Sequence, residues 1–231
     1  MSQSEFKIPD SFDGTVRLFP LPNVVLFPGV VQALNLFEPR YRQLMSDVIN
    51  DDLLITMALV KPDPGNLSMP VPEICQTVCV GKVVTHAKLD DGTYNLLLAG
   101  ISRAVIVDEL VSDTPYRQAK VNLVSETSLL GEDEQRLRAE LIELFRNTQL
   151  VQSKFDREAI EKLEAGEMPV GQLGDLVAYA SGISPLDQQA VLEIVDVRQR
   201  INHLISVLQR HNQSESQSES RPDFPPDFSL N

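Results

Sequence analysis

The sequence predicts an α+β protein: a β-rich lobe, built as a curled sheet or open barrel with one helix, followed by a C-terminal helical bundle. Three observations carry this. Up to about residue 126 the apolar residues come in runs of four to eight, rich in Val and Ile and punctuated by Pro and Gly. After Gly131 they recur with the helical period of about 3.6 residues. The change of pattern falls in one place, residues 126–133, so the two halves are expected to be separate layers of one architecture. The expected organisation is a flexible N-terminus over 1–14, the β-rich lobe over 15–126, a helical subdomain over 127–210 and a disordered acidic tail over 211–231.

The strand-like runs are 16–19, 24–27, 30–36, 53–60, 78–84, 94–98, 104–107 and 119–124. Asp90-Asp91-Gly92-Thr93 separates two of them, and Asp-Gly supplies the positive φ angles of a tight hairpin. One helix interrupts the strands. Pro39 stands where a first helical turn tolerates a missing N–H, and Tyr41, Leu44, Met45 and Val48 follow at helical spacing. The segment 61–72, with four prolines, reads as an exposed loop.

In the second half Leu137, Leu141, Leu144 and Phe145 form one stripe, behind an acidic helix start at Glu132-Asp133-Glu134. Residues 155–163 and 173–179 predict two shorter helices, stopping near Gly166 and Gly182. Ser184-Pro185-Leu186-Asp187 combines a capping hydroxyl, a proline at the first position and an acid three residues after the cap. From there Val191, Ile194, Val195, Ile201, Ile205 and Leu208 predict one long helix. Beyond Arg210 a Ser/Glu/Gln tract followed by prolines offers almost nothing to bury.

Composition narrows the function. The chain has 231 residues, 42% apolar and 23% charged, and a net charge of −13. Its 10 basic and 14 acidic residues before Glu126, 9 and 15 from there to Arg210, and 1 and 4 beyond spread the acidity evenly. Nucleic acid and anionic lipid, which draw affinity from Lys and Arg, are not expected as partners. No apolar run approaches the length of a membrane span, and no basic head with an apolar core opens the chain, so a cytoplasmic protein is expected.

A search for chemistry finds little. Gly81-Lys82 is followed by Val83, which is no phosphate loop, and no nucleophile elbow, zinc-binding helix or dinucleotide fingerprint occurs. If residues 76–80 form a strand, Cys75 and Cys79 stand about 13 Å apart, too far for a disulfide or a shared ion, and both read as structural. His86, His203 and His211 are widely separated. No catalytic residue, cofactor or metal is expected. Arg40 reads as tying its helix start to a carboxylate rather than as an anion ligand. Leu26, Phe27, Pro28 and Phe37 read as core, with a docking role the alternative if a phenylalanine is exposed beside the proline loop.

The run Arg17-Leu18-Phe19-Pro20-Leu21-Pro22-Asn23-Val24-Val25-Leu26-Phe27-Pro28-Gly29, then Leu36-Phe37-Glu38-Pro39-Arg40-Tyr41-Arg42, resembles the opening of the Lon protease N-terminal domain. The likeness continues through Val80-Gly81, the Asp91-Gly92-Thr93 hairpin, Leu98-Ala99-Gly100-Ile101-Ser102-Arg103-Ala104 and the helical 189–197, covering about residues 15–210. The resemblance implies a PUA-like β-rich lobe joined to a helical bundle. It also implies a substrate-binding module tied to proteolysis, here in a stand-alone form without the ATPase and Ser-Lys protease domains. The function expected is noncatalytic binding of unfolded or partly folded polypeptides through apolar contacts and strand addition, with Phe27, Pro28, Phe37 and Tyr41 as binding residues. The alternatives are an adaptor or regulator of a full-length Lon-type protease, and a hydrolase or small-molecule site in the β-lobe around His86.

Overall fold

The computed structural model describes residues 7–127, 129, 131–148, 163 and 168–219. Six strands, β1 (Thr15–Leu21), β2 (Val31–Leu36), β3 (Leu54–Leu59), β4 (Thr77–Lys88), β5 (Tyr94–Leu110) and β6 (Gln118–Leu123), make one sheet in the order β2-β5-β4-β3-β1-β6. Only β1 and β3 run parallel. β6 also pairs with β5, so the sheet curls on itself as expected. The described helices are α1 (Pro39–Ile49), α2 (Pro64–Leu67), α3 (Glu132–Arg146), α4 (Val170–Ala180), α5 (Pro185–Glu193) and α6 (Val197–Glu219).

Alternation along the strands sends side chains to two faces, and each face has its own core. Inside the curl, Val16, Leu18, Val78, Val80, Ala104 and Ala119 pack together. Ile8 and Phe12, on the segment expected to be flexible, pack against this cluster. The other core is continuous from Leu36 and Leu98 on the sheet and Phe27 between β1 and β2, through Leu44 and Met45 of α1, to Leu141, Phe145, Leu173, Ile201 and Leu208 of the helices. The β-lobe and the helices therefore share one core.

Local chemistry explains most elements. In α1 the predicted residues Tyr41, Leu44, Met45 and Val48 are the buried ones. The β4–β5 hairpin turns at Gly92, φ +80°, while Asp91 Oδ1 accepts from the Thr93 N–H at 2.9 Å. Ser184 caps α5, accepting from the Asp187 N–H at 3.1 Å, and Gly182, φ +76°, follows α4. The loop after β3 is tied by Asn66, whose amide donates to the carbonyls of Lys61 and Glu73 and accepts from the Glu73 N–H.

Four readings need correction. Residues 24–27 are not a strand: prolines 22 and 28 flank them, and Val25, Leu26 and Phe27 enter the core as an irregular plug. Runs 94–98 and 104–107 are one strand, because Gly100 is a close-approach point and not a break. A Cβ there would lie 2.1 Å from the Phe27 carbonyl oxygen, and the Gly29 N–H donates to the Gly100 carbonyl at 2.9 Å. The long helix expected from Pro185 is interrupted at residues 194–196, and α6 runs to Glu219 instead of stopping at Arg210, in a stretch without Gly or Pro. The helix predicted over 155–163 lies outside the described residues except at Leu163, which is helical.

A buried ion cluster explains the interruption. Arg103 of β5, Asp175 of α4 and Arg200 of α6 are each at most 1% exposed, and Glu126 joins them from the connection between the halves. Arg103 grips both oxygens of Asp175 at 2.9 and 2.5 Å, and also donates to Glu126. Arg200 donates to Glu126 at 2.7 Å, and its Nε lies 3.3 Å from Asp175 Oδ1. The carbonyls left over between α5 and α6 are taken by the same groups: Leu192 by Arg103 at 3.0 Å, and Ile194 and Val195 by Arg200 at 2.9 and 3.3 Å. Asp196 then caps α6, accepting from the Gln199 N–H at 2.8 Å. Burial pushes the Asp175 carboxyl above its ordinary value, against the pull of Arg103 and Arg200. Burial also works against the Arg103 charge, but the Asp175 bond and the neighbouring carboxylates hold its pKa above the ordinary arginine value.

Asp175→Asn should lower the urea-unfolding free energy by roughly 3 kcal/mol, because two buried guanidinium groups lose a partner. Arg103→Met combined with Asp175→Leu should cost less than the two single changes added together; strict additivity would show that the groups do not act as a unit. Gly100→Val should cost about 2 kcal/mol or more in the same assay, since the clash is with backbone. Tyr116, whose hydroxyl donates to Asp47 at 2.7 Å, has its pKa pushed up to about 12 by burial and then by that bond. Its stabilising contribution is whole below about pH 10 and is lost as the pH rises through the folded value. Absorbance titration should show one tyrosine ionising last, and Tyr116→Phe should abolish that step.

Candidate functional site

Among the described residues the sheet has an uncovered edge at β2. Its sequence, Val-Gln-Ala-Leu-Asn-Leu, alternates so that Val31, Ala33 and Asn35 are exposed while Leu36 is buried and Leu34 packs on the core. Among the described residues β2 pairs only with β5, with Val31 opposite Ala99, Ala33 opposite Leu97 and Asn35 opposite Asn95. The Gly100 N–H donates to the Val30 carbonyl at 2.8 Å, which sets the phase of this ladder. Residues 32, 34 and 36 therefore spend their main-chain groups on β5, and those of Val31, Ala33 and Asn35 point to the open side. The Gln32 amide reaches back to the Ala33 carbonyl at 2.8 Å, and the Tyr179 hydroxyl of α4 donates to Gln32 Oε1 at 2.7 Å. β2 carries no proline and no charge, the residues with which proteins usually block an edge.

Beside this edge lies an open groove of about 460 Å³, lined by Ala33, Leu34, Ala87 and Leu97 with His86 and Thr85 among the polar contributors. Among the described residues no carboxylate lines it, in a chain of net charge −13. Val31 is 50% exposed, and Phe37, directly after β2, is 65% exposed. The arrangement offers main-chain donors and acceptors next to apolar surface. Among the described residues no acid lines the groove beside His86, and no three His, Cys, Asp or Glu side chains converge as metal ligands.

The residues singled out from sequence divide sharply. Phe27 and Tyr41 are in the core, at 0% and 4% exposure, and cannot form a docking surface as they stand. Tyr41 packs edge-on against Phe19 with ring centres 4.5 Å apart. Pro28 is half-buried in the plug, and only Phe37 is open. It stands at the hairpin end of β5, since Leu36 pairs with Tyr94, and not beside the proline loop. Arg40 Nε donates to Glu38 at 2.9 Å, and the guanidinium lies over the Tyr41 ring. Burial pushes the Cys79 thiol well up, and Cys75, half-buried just before β4, is raised by the same cause.

Sequence reasoning missed Val31, Ala33 and Leu97 as site residues, because nothing in a run of residues says which strand ends a sheet. A second exposed apolar patch, Leu67, Met69 and Val71, lies on the proline loop, with Val71 and Val107 lining a cleft of about 500 Å³.

The fold is a curled sheet with an open edge, joined through a shared core to a helical layer. A family model described as the ATP-dependent protease La (LON) substrate-binding domain matches residues 15–210, and the chain belongs to that family. It is 30% identical over 195 residues to the Lon protease of Bacillus thuringiensis (strain Al Hakam), covering 84% of this chain and 24% of that protein. It is 29% identical over 208 residues to Lon protease 2 of Myxococcus xanthus, covering 85% and 24%. The chain thus spans about a quarter of the length of these curated relatives. The N-terminal domain of Mycobacterium avium complex Lon protease superposes with a TM-score of 0.67 at 19% identity, covering 85% of this chain and 99% of that one. The Lon N-terminal domain protein from Xanthomonas campestris gives 0.61 at 21% identity, covering 83% and 97%. Among the described residues no helix is long and apolar enough to cross a membrane.

With a thiol reagent at neutral pH, native protein should label at Cys75 and leave Cys79 unmodified until denaturant is added. Mass spectrometry of the labelled peptides reads both sites, and prompt native labelling of Cys79 would contradict its burial.

Proposed function

We propose that this chain is a noncatalytic protein-binding module that captures exposed apolar segments of unfolded or partly folded polypeptides. The observation that carries the reading is the unblocked β2 edge, where the main chain of Val31, Ala33 and Asn35 faces outward beside Leu97 and Phe37. An extended segment laid there would pair its backbone with β2 and set alternate side chains on the outer face, including the groove. Membership of the LON substrate-binding family supports substrate recognition as the role.

The magnitudes are those of a weak, permissive site. A net gain of about 1 kcal/mol per main-chain hydrogen bond and a few apolar side chains buried must overcome the ordering of the captured segment. Because no carboxylate lines the groove among the described residues and β2 carries no charge, the client's own contacts with the groove should be apolar burial and backbone pairing, which salt changes little.

Fluorescence anisotropy of one labelled polypeptide, compared in native and permanently unfolded forms, tests this. The unfolded form alone should bind. Ala33→Pro removes an outward N–H and leaves the β5 ladder intact, so it should weaken binding about tenfold with little loss of stability. Phe37→Ser should weaken it by several-fold. Equal binding by the Ala33→Pro variant would exclude strand addition, and binding only to a folded protease would replace client capture with an adaptor role.

A further inference from the structure

Residues 220–231 follow α6 in the sequence and carry one tripeptide twice, Pro222-Asp223-Phe224 and Pro226-Asp227-Phe228. Two of the nine phenylalanines of the chain thus stand within a polar, proline-rich stretch, each with an aspartate before it. A segment needing only to be solvated has no use for two aromatic rings, whose burial is worth roughly 1.5–3 kcal/mol each.

The fold brings this segment within reach of the β2 groove. α6 lies alongside α4 in the same direction: a Cβ at Gly171 would meet Val197 and Arg200, and one at Gly174 would meet Ile201 and Leu204. The C-terminal part of α6 therefore passes the end of α4, where Tyr179 bonds to Gln32 of β2. From buried Leu208 to Glu219 the helix advances about 16 Å, and an extended chain adds about 3.3 Å for every residue beyond.

Charge and spacing favour the same groove. Lys82, on β4, shares the outer face with Ala99 and Leu97; His86 lines the groove, Lys88 lies at its hairpin end, and the Arg42 guanidinium rests against Gly92. The opposing carboxylates nearby are Glu38, paired with Arg40, together with Asp90 and Asp91, the last engaged by Thr93 and facing Arg42. Asp223 and Asp227 would meet Lys82 and Lys88, which flank the groove along β4. In an extended proline-rich conformation the two rings are about 12 Å apart, close to the roughly 13 Å from Ala33 to Phe37 along the strand direction.

We propose that residues 222–228 occupy the β2–β5 groove of their own chain, with one ring over Ala33 and Leu97 and the other against Phe37, as an internal ligand that a client must displace. The proposal rests on the function given above only in treating the β2 edge as a polypeptide site. The tail then sets a threshold: weak clients are excluded and segments with more apolar surface are admitted.

The test uses the full chain. Phe224→Ser with Phe228→Ser should tighten binding of the unfolded polypeptide about threefold to tenfold, because the internal competitor acts at an effective concentration on the order of millimolar. Added salt should tighten client binding to the unaltered chain by screening the Asp223 and Asp227 contacts, and leave the double variant unaffected. A synthetic peptide of residues 220–231, titrated into the isotope-labelled double variant, should shift the amide signals of Ala33 and Leu97. Leu97→Asp should abolish those shifts, with Phe37→Ser as the second variant if Leu97→Asp fails to fold. Unchanged or weaker client binding on removing the rings would overturn the proposal. So would an effect that disappears on dilution, which places the tail on a second copy. Peptide shifts without any client binding would support this inference and remove the client-capture function; client binding indifferent to the tail would do the reverse.

Discussion

The four-group cluster of Arg103, Asp175, Arg200 and Glu126 ties β5, α4 and α6 to the connection between the two halves. Two guanidinium groups and two carboxylates balance in charge, and three of the four are removed from water. Such a cluster is costly to assemble, and its individual bonds say little about net stability. Its consequence is geometric. A buried guanidinium tolerates few positions, so β5, the 126–127 connection, α4 and α6 meet in one arrangement, and the gap between α5 and α6 is held open by the carbonyls it engages.

That arrangement bears on the open edge. With α4 held at its middle by Asp175, Tyr179 near its C-terminal end reaches Gln32, so among the described residues the helical layer supports β2 without covering its outer side. A strand buttressed from within and left unpaired outside suits the reception of an extended segment, because little of the receptor must be ordered on binding. The cost is exposure to unwanted pairing, which a strand without proline or charge does nothing to prevent. A tail that occupies the groove would reconcile these demands.

The local elements were legible because their causes are local. Pro39 with its helical stripe, the Asp91-Gly92 turn and the Ser184 cap each rest on groups within a few residues of one another. The misreadings share the opposite feature. Residues 24–27 have the composition of a strand, yet flanking prolines and a place in the core made them a plug; Gly100 looks like a break and instead admits the Phe27 carbonyl. Arg103 in an apolar strand, Asp175 in an apolar helix and Arg200 on an apolar stripe were the signal that could have disclosed the ion cluster. An isolated charge in an apolar run implies a distant partner without naming it.

By itself, then, the sequence determined the division into a β-rich lobe and a helical layer, the hairpin, the caps and the family, since period, turn chemistry and capping are properties of neighbouring residues. Tertiary structure decided which strand lies at the edge, and so which residues of similar composition are surface or core. Phe37 and Phe27 are ten positions apart with the same side chain, one 65% exposed and the other fully buried. The physical reason is that exposure depends on what the rest of the chain brings alongside, and no local pattern contains that information.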